Sequence, residues 1–327
     1  MVSDAWRFAM ACEKGDIETV TELIDILNFD QLNFDQHIIV YIGQSIVNGH
    51  LNILKILHQK GFPIRSLCRA QGLSVAAIHG QVDIVDYFLS NFDETNDNIL
   101  AIRNVAVVNG HLNILQYLHQ KGCDIQCIYN RKSPLMLAAE YGWIDIIDYL
   151  LLNDVDINLE TSNGHTALMI AVINKQIDVI DILLQNKRCQ INSQDHNGYT
   201  VIFFALEKGY LQILHKLITN GSNIWHLNKL GESLLYRAVF VHPAYTDIDI
   251  INYLISLELD VNIQNIYGNT PLMWSVECGN KEIVKILIEN GADPTIKNMT
   301  GCTALTNART QDIRDLMTKN MCEIKDI

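Results

Sequence analysis

Apolar residues along this chain repeat with the spacing of one helical face, in runs of similar length and character. Within each run they fall near positions i, i+3, i+4 and i+7, with Asp, Asn, Lys or Gln between them. This spacing predicts amphipathic helices that bury one side and leave the other in water. The runs lie at residues 51–57, 82–89, 112–118, 144–151, 177–184, 211–218, 250–255 and 283–288.

A shorter first helix is predicted before each of these second helices. In the later part of the chain it begins at a Ser or Thr, whose hydroxyl can accept from an unpaired backbone N–H of the first turn. It ends at a glycine suited to a left-handed helix cap, and these glycines recur roughly every 31 residues or at about twice that interval. The starting residues are Ser133, Thr166, Thr200, Ser233, Thr270 and Thr303, and the glycines are Gly49, Gly80, Gly110, Gly142, Gly209 and Gly279.

Neither helix of such a unit can bury its apolar face alone, so the units are predicted to stack on one another. The sequences Asn-Thr-Pro-Leu-Met at 269–273 and Asn-Gly-Ala-Asp-Pro at 290–294, and segment 133–158, resemble the ankyrin repeat. A tetratricopeptide array has a similar period but lacks this Ser/Thr-Pro-Leu start and the Gly-Ala-Asp exit. The resemblance implies an all-α fold, an ankyrin-repeat solenoid of about ten helix-turn-helix units.

The resemblance also implies how the single domain, residues 1–327, is organised. Short β-hairpin fingers are expected in the C-terminal half, where glycines follow a turn residue at 163–164, 197–198, 230–231, 267–268 and 300–301. Lys175 and His242 replace the closing glycine in two units. The expected parts are an N-terminal capping repeat at 1–30, short irregular repeats at 31–126, consensus-like repeats at 127–297 with an insertion near 242–247, and a C-terminal capping repeat at 298–320.

The charge and the cysteines limit the possible partners and compartments. A formal net charge of -13 repels phosphate backbones and anionic lipid, and no basic run is longer than two residues. The N-terminus does not resemble a secretory signal, and no apolar stretch approaches the ~18 residues of a membrane span. The eight cysteines are scattered, as expected in a reducing compartment. We therefore expect a cytoplasmic or nuclear protein, a monomer, that binds neither nucleic acid nor membrane.

Candidate chemistry is sparse, and we expect no enzyme, no metal and no cofactor. The standard nucleotide-binding, nucleophile and zinc motifs are missing. Cys12, near His37, and Cys123 with Cys127, beside His119, leave open a cryptic Cys/His site in a regulatory or catalytic protein. The repeated histidines His50, His111, His58 and His119 are instead expected to bond to backbone groups across loops. The resemblance also implies that asparagines at repeat exits, here Asn158 and Asn262, can be substrates for asparaginyl hydroxylation. We expect instead that these asparagines simply make turns.

The main functional hypothesis is a scaffold or adaptor that binds a protein partner on its concave face. In the ankyrin family the residue after the signature histidine position points from the first helix into that face. The resemblance therefore implies a partner-binding strip. We expect mutations in this strip to weaken binding with little loss of stability. Its members are Leu137, Ile170, Phe204, Arg237 and Trp274, with Tyr199 and Tyr267 from the fingers. The repeat style also resembles amoebal and giant-virus ankyrin proteins, so a pathogen or viral effector that binds host proteins, acting in the host cytoplasm, stays open.

Overall fold

The computed structural model describes residues 4–26, 36–62, 64–67, 71–241 and 248–324 of the chain. Within these residues the helices form consecutive pairs, each a first helix followed by a second helix, apart from a short helix at Ile64–Leu67, and there is no β-strand. The all-α fold predicted from the sequence is confirmed. The predicted insertion at 242–247 lies outside the described residues.

The contacts divide the chain into two compact units, Met1–Asp156 and Ile157–Ile327. The N-terminal unit contains α1 (Asp4–Lys14), α2 (Ile17–Ile26), α3 (Gln36–Val47), α4 (Leu51–Gln59), α5 (Ile64–Leu67), α6 (Leu73–Ile78), α7 (Val82–Asn91), α8 (Asn96–Val108), α9 (Leu112–Gln120), α10 (Pro134–Tyr141) and α11 (Ile144–Leu152). The C-terminal unit contains α12 (Ala167–Ile173), α13 (Ile177–Gln185), α14 (Val201–Glu207), α15 (Leu211–Thr219), α16 (Leu234–Val241), α17 (Ile248–Ser256), α18 (Pro271–Glu277), α19 (Lys281–Glu289), α20 (Ala304–Asn307) and α21 (Gln311–Ile324).

Each unit has a core made by stacking of the pairs. In the C-terminal unit the first helices α12, α14, α16, α18 and α20 pack one on the next, and each first helix up to α18 also packs on its own second helix. The apolar positions of the second helices are buried as their spacing predicted, for example Val179, Ile180 and Leu183 of α13. Burial of these side chains, at about 25 cal/mol per Å² of apolar surface, is the main favourable contribution to stacking.

The predicted helix starts are confirmed at all six Ser or Thr residues, and the predicted hydroxyl bond forms at five of them. The hydroxyl of Ser133 accepts from Met136 N, and the same bond forms at Thr166, Ser233, Thr270 and Thr303. The hydroxyl of Thr200 is buried and has no partner among the described residues. Gly142 closes α10 with φ +82°, and Lys175, which replaces this glycine one pair later, takes φ +57°. A non-glycine residue in this left-handed region is strained.

The side chain of the residue directly before a second helix connects consecutive pairs of the N-terminal unit. His50 Nε2 donates to Glu13 O at 2.9 Å, and His111 Nε2 donates to Ile78 O at 2.6 Å. These bonds confirm the backbone bonding predicted for His50 and His111. The same prediction is wrong for His58 and His119, whose Nδ1 atoms pair with the hydroxyls of Tyr87 and Tyr149 at 2.6 and 2.7 Å. Gln81 and Trp143 make the same kind of bond, to Val47 O and Val108 O. Each such side chain therefore satisfies a carbonyl near the end of the preceding first helix, where helices leave carbonyls unpaired.

Replacing His111 by alanine should lower the free energy of unfolding by about 1 kcal/mol, because the carbonyl of Ile78 loses its donor. His111→Gln is the matched control, since Gln81 makes this bond with an amide in the neighbouring pair. Urea unfolding followed by circular dichroism measures both variants. Equal losses for alanine and glutamine would show that the imidazole acts only through packing.

The fingers of the C-terminal unit are turns closed by a side-chain oxygen. Asp195 Oδ1 accepts from Asn197 N and Tyr199 N, both at 2.8 Å. Equivalent oxygens of Thr161, Asn228, Asn265 and Asn298 accept the same two bonds in the other fingers. Neighbouring fingers are joined by one backbone bond each, such as Ile266 N to Leu230 O at 2.9 Å. In the described residues these fingers are hydrogen-bonded turns rather than stranded hairpins, and an isolated bridge joins Tyr129 and Lys132 in the N-terminal unit.

Candidate functional site

A row of aromatic side chains runs across the first helices of the C-terminal unit. Phe204 of α14 contacts His165 and Tyr199, with ring centroids 5.2 and 6.3 Å apart. Phe240 of α16 stacks on Trp274 of α18 at 4.5 Å with an interplanar angle of 30°. The rings are half-buried. Together with Arg237 they form what we call the aromatic strip: Tyr199, Phe204, Arg237, Phe240 and Trp274.

Arg237 joins the two groups of rings. Its guanidinium carbon lies 5.3 Å from the Tyr199 ring centroid and 4.8 Å from that of Phe240. Such contacts contribute more when they are desolvated, and the Arg237 side chain is 12% exposed. The guanidinium also donates to Glu207 of α14 and lies 3.5 Å from Glu232, which precedes α16. One arginine therefore connects consecutive helix pairs through both charge and ring contacts.

Two nitrogen donors of the strip are buried without an acceptor in the described residues. They are Arg237 Nε and Trp274 Nε1. A buried N–H without an acceptor costs about 1–3 kcal/mol relative to a bonded one. Such donors are unusual in folded proteins, so their occurrence on one surface marks the strip as a candidate site.

The tyrosines of this region remain neutral phenols near neutral pH. Burial raises the pKa of Tyr236 to about 12, and the carboxylates of Glu232 and Glu277 contribute in the same direction. Burial also raises the pKa of Tyr199, against the opposing charge of Arg237. These side chains therefore provide ring surface and hydroxyl groups rather than charge.

The structure brings together four of the seven residues predicted for the strip, Tyr199, Phe204, Arg237 and Trp274. Leu137 in the N-terminal unit is 8% exposed and Ile170 in the C-terminal unit is 5% exposed, so both belong to cores. Tyr267 is 55% exposed at a fingertip, and its ring is not among the contacting rings of the described residues. Aliphatic side chains at this position of the repeat are stabilised by transfer from water into the core. The larger rings and the arginine remain partly accessible to solvent.

Sequence reasoning missed three contributors to the strip. Phe240 and Glu207 each follow a predicted strip residue by three positions on the same helix, which places them on the same face. That spacing is a signal that could have found them. Glu232 gives no comparable signal, because it lies in the finger before α16 and not on the same helix face as Arg237.

Among the described residues, the cysteine and histidine candidates do not assemble into a reactive group. Cys12 is buried, and burial raises the pKa of its thiol to about 12. His119 Nδ1 pairs with the Tyr149 hydroxyl at 2.7 Å instead of with a cysteine. In the described parts of the chain no cluster of His, Cys, Asp or Glu side chains could hold a metal ion. The side chain of His37 lies outside the residues that the structure describes.

Sequence reasoning also missed Arg103, a fully buried arginine in α8. Its guanidinium donates to the backbone oxygens of Asp124 and Cys127, to Asn104 Oδ1 and to Cys127 Sγ. It therefore holds the loop that follows α9 against α8. The structural role of this arginine accounts for the polar surroundings of Cys127.

The asparagines at the repeat exits bridge neighbouring loops. Asn158 accepts from Gln190 N and donates to Arg188 O, and Asn262 bonds in the same way to Asp293 N and Gly291 O. Asn192 makes the equivalent pair of bonds, although the sequence argument did not select it. Trp225, which is 69% exposed, occupies the position of this asparagine in the repeat exit that follows Asn192.

Comparisons with known proteins agree on one family. The family model for ankyrin repeats in three copies matches residues 37–129, 103–195, 202–298 and 235–316, and a second ankyrin-repeat model matches 173–218. The ankyrin repeat protein FPV022 of Fowlpox virus is 26% identical over 70% of this chain, which spans 36% of that protein. In the residues that the structure describes, no helix is both long and apolar enough to cross a membrane.

Solved structures show the same fold. The ankyrin repeat domain of Bcl-3 matches with a TM-score of 0.59 at 22% identity, covering 66% of this chain and 97% of that domain. An ankyrin repeat domain from Acinetobacter baumannii AYE matches with a TM-score of 0.52 at 27% identity, covering 57% of this chain and 97% of that domain. The stacked helix pairs, the finger turns and these matches together establish that the chain belongs to the ankyrin repeat family.

Proposed function

We propose that this protein is a non-catalytic scaffold or adaptor that binds a partner protein through the aromatic strip. The observation that carries the proposal is the continuous row of half-buried rings around Arg237. Trp, Tyr and Arg are enriched among residues that contribute most to binding at protein interfaces. Membership of the ankyrin repeat family supports the proposal, because such repeats are generally protein-binding modules.

The two buried N–H groups that lack an acceptor in the described residues give the strip a specific source of binding free energy. A partner that contributes a carbonyl or carboxylate beside Trp274 and Arg237 would offset the cost of their unpaired N–H groups. We propose further that the protein acts as a monomer in the cytoplasm and does not bind nucleic acid. The net charge of -13 supports the last point, because it disfavours approach to a phosphate backbone.

Alanine at Trp274 or at Phe204 should weaken partner binding by about 2 kcal/mol for each residue that is a hot spot, roughly 30-fold in Kd. Trp225→Ala is the matched control, because this tryptophan is exposed in the same unit and has no ring contact with the strip. Partners are captured from the source cell on the immobilised chain, and the dissociation constant is measured with the purified partner. Urea unfolding checks that each variant remains folded.

Two outcomes of this experiment would contradict the proposal. One is unchanged affinity in folded Trp274→Ala and Phe204→Ala variants. The other is a loss of affinity in the Trp225→Ala control that equals the loss in the strip variants. Either result would place the binding surface elsewhere on the molecule.

A second candidate function is that of a viral or pathogen effector that binds host proteins through the same strip. The observation that favours it is the similarity to the ankyrin repeat protein of Fowlpox virus. Capture from a lysate of the host and from the organism that encodes the chain distinguishes the two roles. A partner found only among host proteins, with affinity that depends on Trp274, supports the effector; a partner found only in the encoding organism opposes it.

A further inference from the structure

The last three fingers of the C-terminal unit expose apolar side chains at their tips. Leu230 is 40% exposed, Ile266 is 46% exposed and Tyr267 is 55% exposed. Met299 is 79% exposed on the following finger. We call these four residues the fingertip ridge. They are separate from the aromatic strip, whose rings are half-buried on the first helices and on the finger that carries Tyr199.

The ridge is held in place by hydrogen bonds that do not involve its own side chains. Asn228, Asn265 and Asn298 each accept two backbone N–H bonds inside their finger. Ile266 N donates to Leu230 O, and Met299 N donates to Tyr267 O. The tips are thus fixed relative to one another before any partner binds, which lowers the entropy cost of binding.

The fold does not require apolar residues at these tips. The first two fingers of the same unit use the same turn, closed by Thr161 and Asp195, yet their tips carry Ser162, Asn163, His196 and Asn197. Because polar tips suit the turn equally well, the apolar tips of the last three fingers have no role in forming it. Exposed apolar side chains that adjoin one another commonly mark an interaction surface.

The charge around the ridge is opposite to that of the whole chain. Lys229 and Lys297 are exposed beside the tips, and neither makes an ion pair among the described residues. Glu232 is the single acidic residue in segments 228–232, 264–269 and 297–302, and it is 4% exposed and paired with Arg237. The ridge is therefore a basic and apolar surface on a chain of net charge -13.

We propose that the fingertip ridge docks a protein segment that combines apolar side chains with Asp or Glu. The apolar tips would bury against its apolar residues, and Lys229 and Lys297 would pair with its carboxylates. Electrostatic complementarity of this kind selects partners and speeds their association. An anionic membrane fits less well, because the remaining negative charge of the chain opposes its approach. This inference rests on the proposed protein-binding function but uses a different surface.

The test selects peptides from a phage-displayed library of random peptides on the immobilised full-length chain. The enriched sequences should combine apolar residues with a net negative charge. Individual synthetic peptides should bind at least tenfold more weakly to a ridge variant that carries Ile266→Ser, Tyr267→Ser and Met299→Ser. The double variant Lys229→Glu with Lys297→Glu should lose about tenfold in affinity, with a weaker dependence on salt.

Matched controls separate the ridge from general charge and from the strip. Lys55→Glu with Lys187→Glu makes the same change in net charge at exposed lysines outside the ridge, and it should bind the peptides within about twofold of wild type. Trp274→Ala should also retain peptide binding. Retained peptide binding by this variant, together with lost binding of the captured partner, shows that the two surfaces act independently.

Several results would overturn the ridge proposal. Enrichment of basic or uncharged peptides would reject the partner chemistry. Equal binding to wild type and to the folded ridge variant would reject the surface. A wild-type dimer in sedimentation that dissociates on the ridge substitutions would mean that a second copy occupies the ridge. Binding to vesicles that contain phosphatidylserine, lost in the Lys229→Glu and Lys297→Glu variant, would mean that the ridge binds a membrane.

Discussion

Replacing Gly164 by alanine should lower the free energy of unfolding by about 3 kcal/mol, a large effect for one added methyl group. Gly164 closes a finger turn at φ +82°, and a Cβ placed there would lie 2.8 Å from Asp195 Cα and 2.9 Å from His196 N. The clash is with the backbone of the next finger, which cannot rotate away. The left-handed conformation costs alanine about 1–2 kcal/mol, and overpacking adds about 1–3 kcal/mol.

Gly301 provides the matched control for this prediction. It takes φ +81° at the same position of the last finger, but a Cβ there would have nothing within 4 Å. Gly301→Ala should therefore show the conformational cost alone, about 1–2 kcal/mol. Urea unfolding of both variants measures the difference, which reports the contact between fingers. Equal losses at the two positions would mean that neighbouring fingers separate at little cost.

Replacing Arg237 by alanine should lower the free energy of unfolding by about 3 kcal/mol or more, because it leaves the buried carboxylate of Glu232 without its cation. The substitution also removes ring contacts with Tyr199 and Phe240. Sequence reasoning treated this residue as dispensable for stability, whereas its contacts give it a structural role. Binding experiments on the strip therefore use Trp274 and Phe204 as their alanine sites.

Two further variants separate charge from shape at this position. Arg237→Lys keeps the positive charge but loses the planar guanidinium, so it should recover part of the stability. The double variant Arg237→Ala with Glu232→Gln should be more stable than Arg237→Ala, since no buried charge remains unpaired. Thermal unfolding of the three variants gives the comparison. A double variant no more stable than the single one would assign the loss to the rings instead of the ion pair.

The helix pairs and their starting residues could be predicted because they depend on local chemistry. A hydroxyl at Thr270 caps the helix that follows it, and a proline at 271 suits the first turn, whatever lies beyond that helix. The bonds of His50 and His111 to backbone were predictable for a related reason, since their repetition at the period of the units indicates a role in stacking. Thr200 shows the limit, because its hydroxyl lacks the bond that its sequence position predicts.

The candidate site could be predicted only in part. The register selected Phe204, Arg237 and Trp274 correctly as neighbours, but it also selected Leu137 and Ile170, which are buried. The position of a residue within the repeat specifies the helix face on which its side chain begins. It does not specify whether that side chain is buried in the core. The fingertip residues Leu230, Ile266 and Met299 were missed because an apolar residue in a short turn has no periodic pattern that marks it as exposed.

The sequence by itself determined the repeating helix pairs, the caps and the family, because these follow from spacings and hydrogen bonds within a few residues or from one period to the next. Only the tertiary structure decided that Arg237 is held between Glu207 and Glu232, that Gly164 lies against the next finger, and that the apolar fingertips adjoin one another. Apart from the Arg237–Glu232 pair, these features join residues about thirty positions apart, and their energies depend on distance and burial. Such quantities exist only once the pairs have stacked.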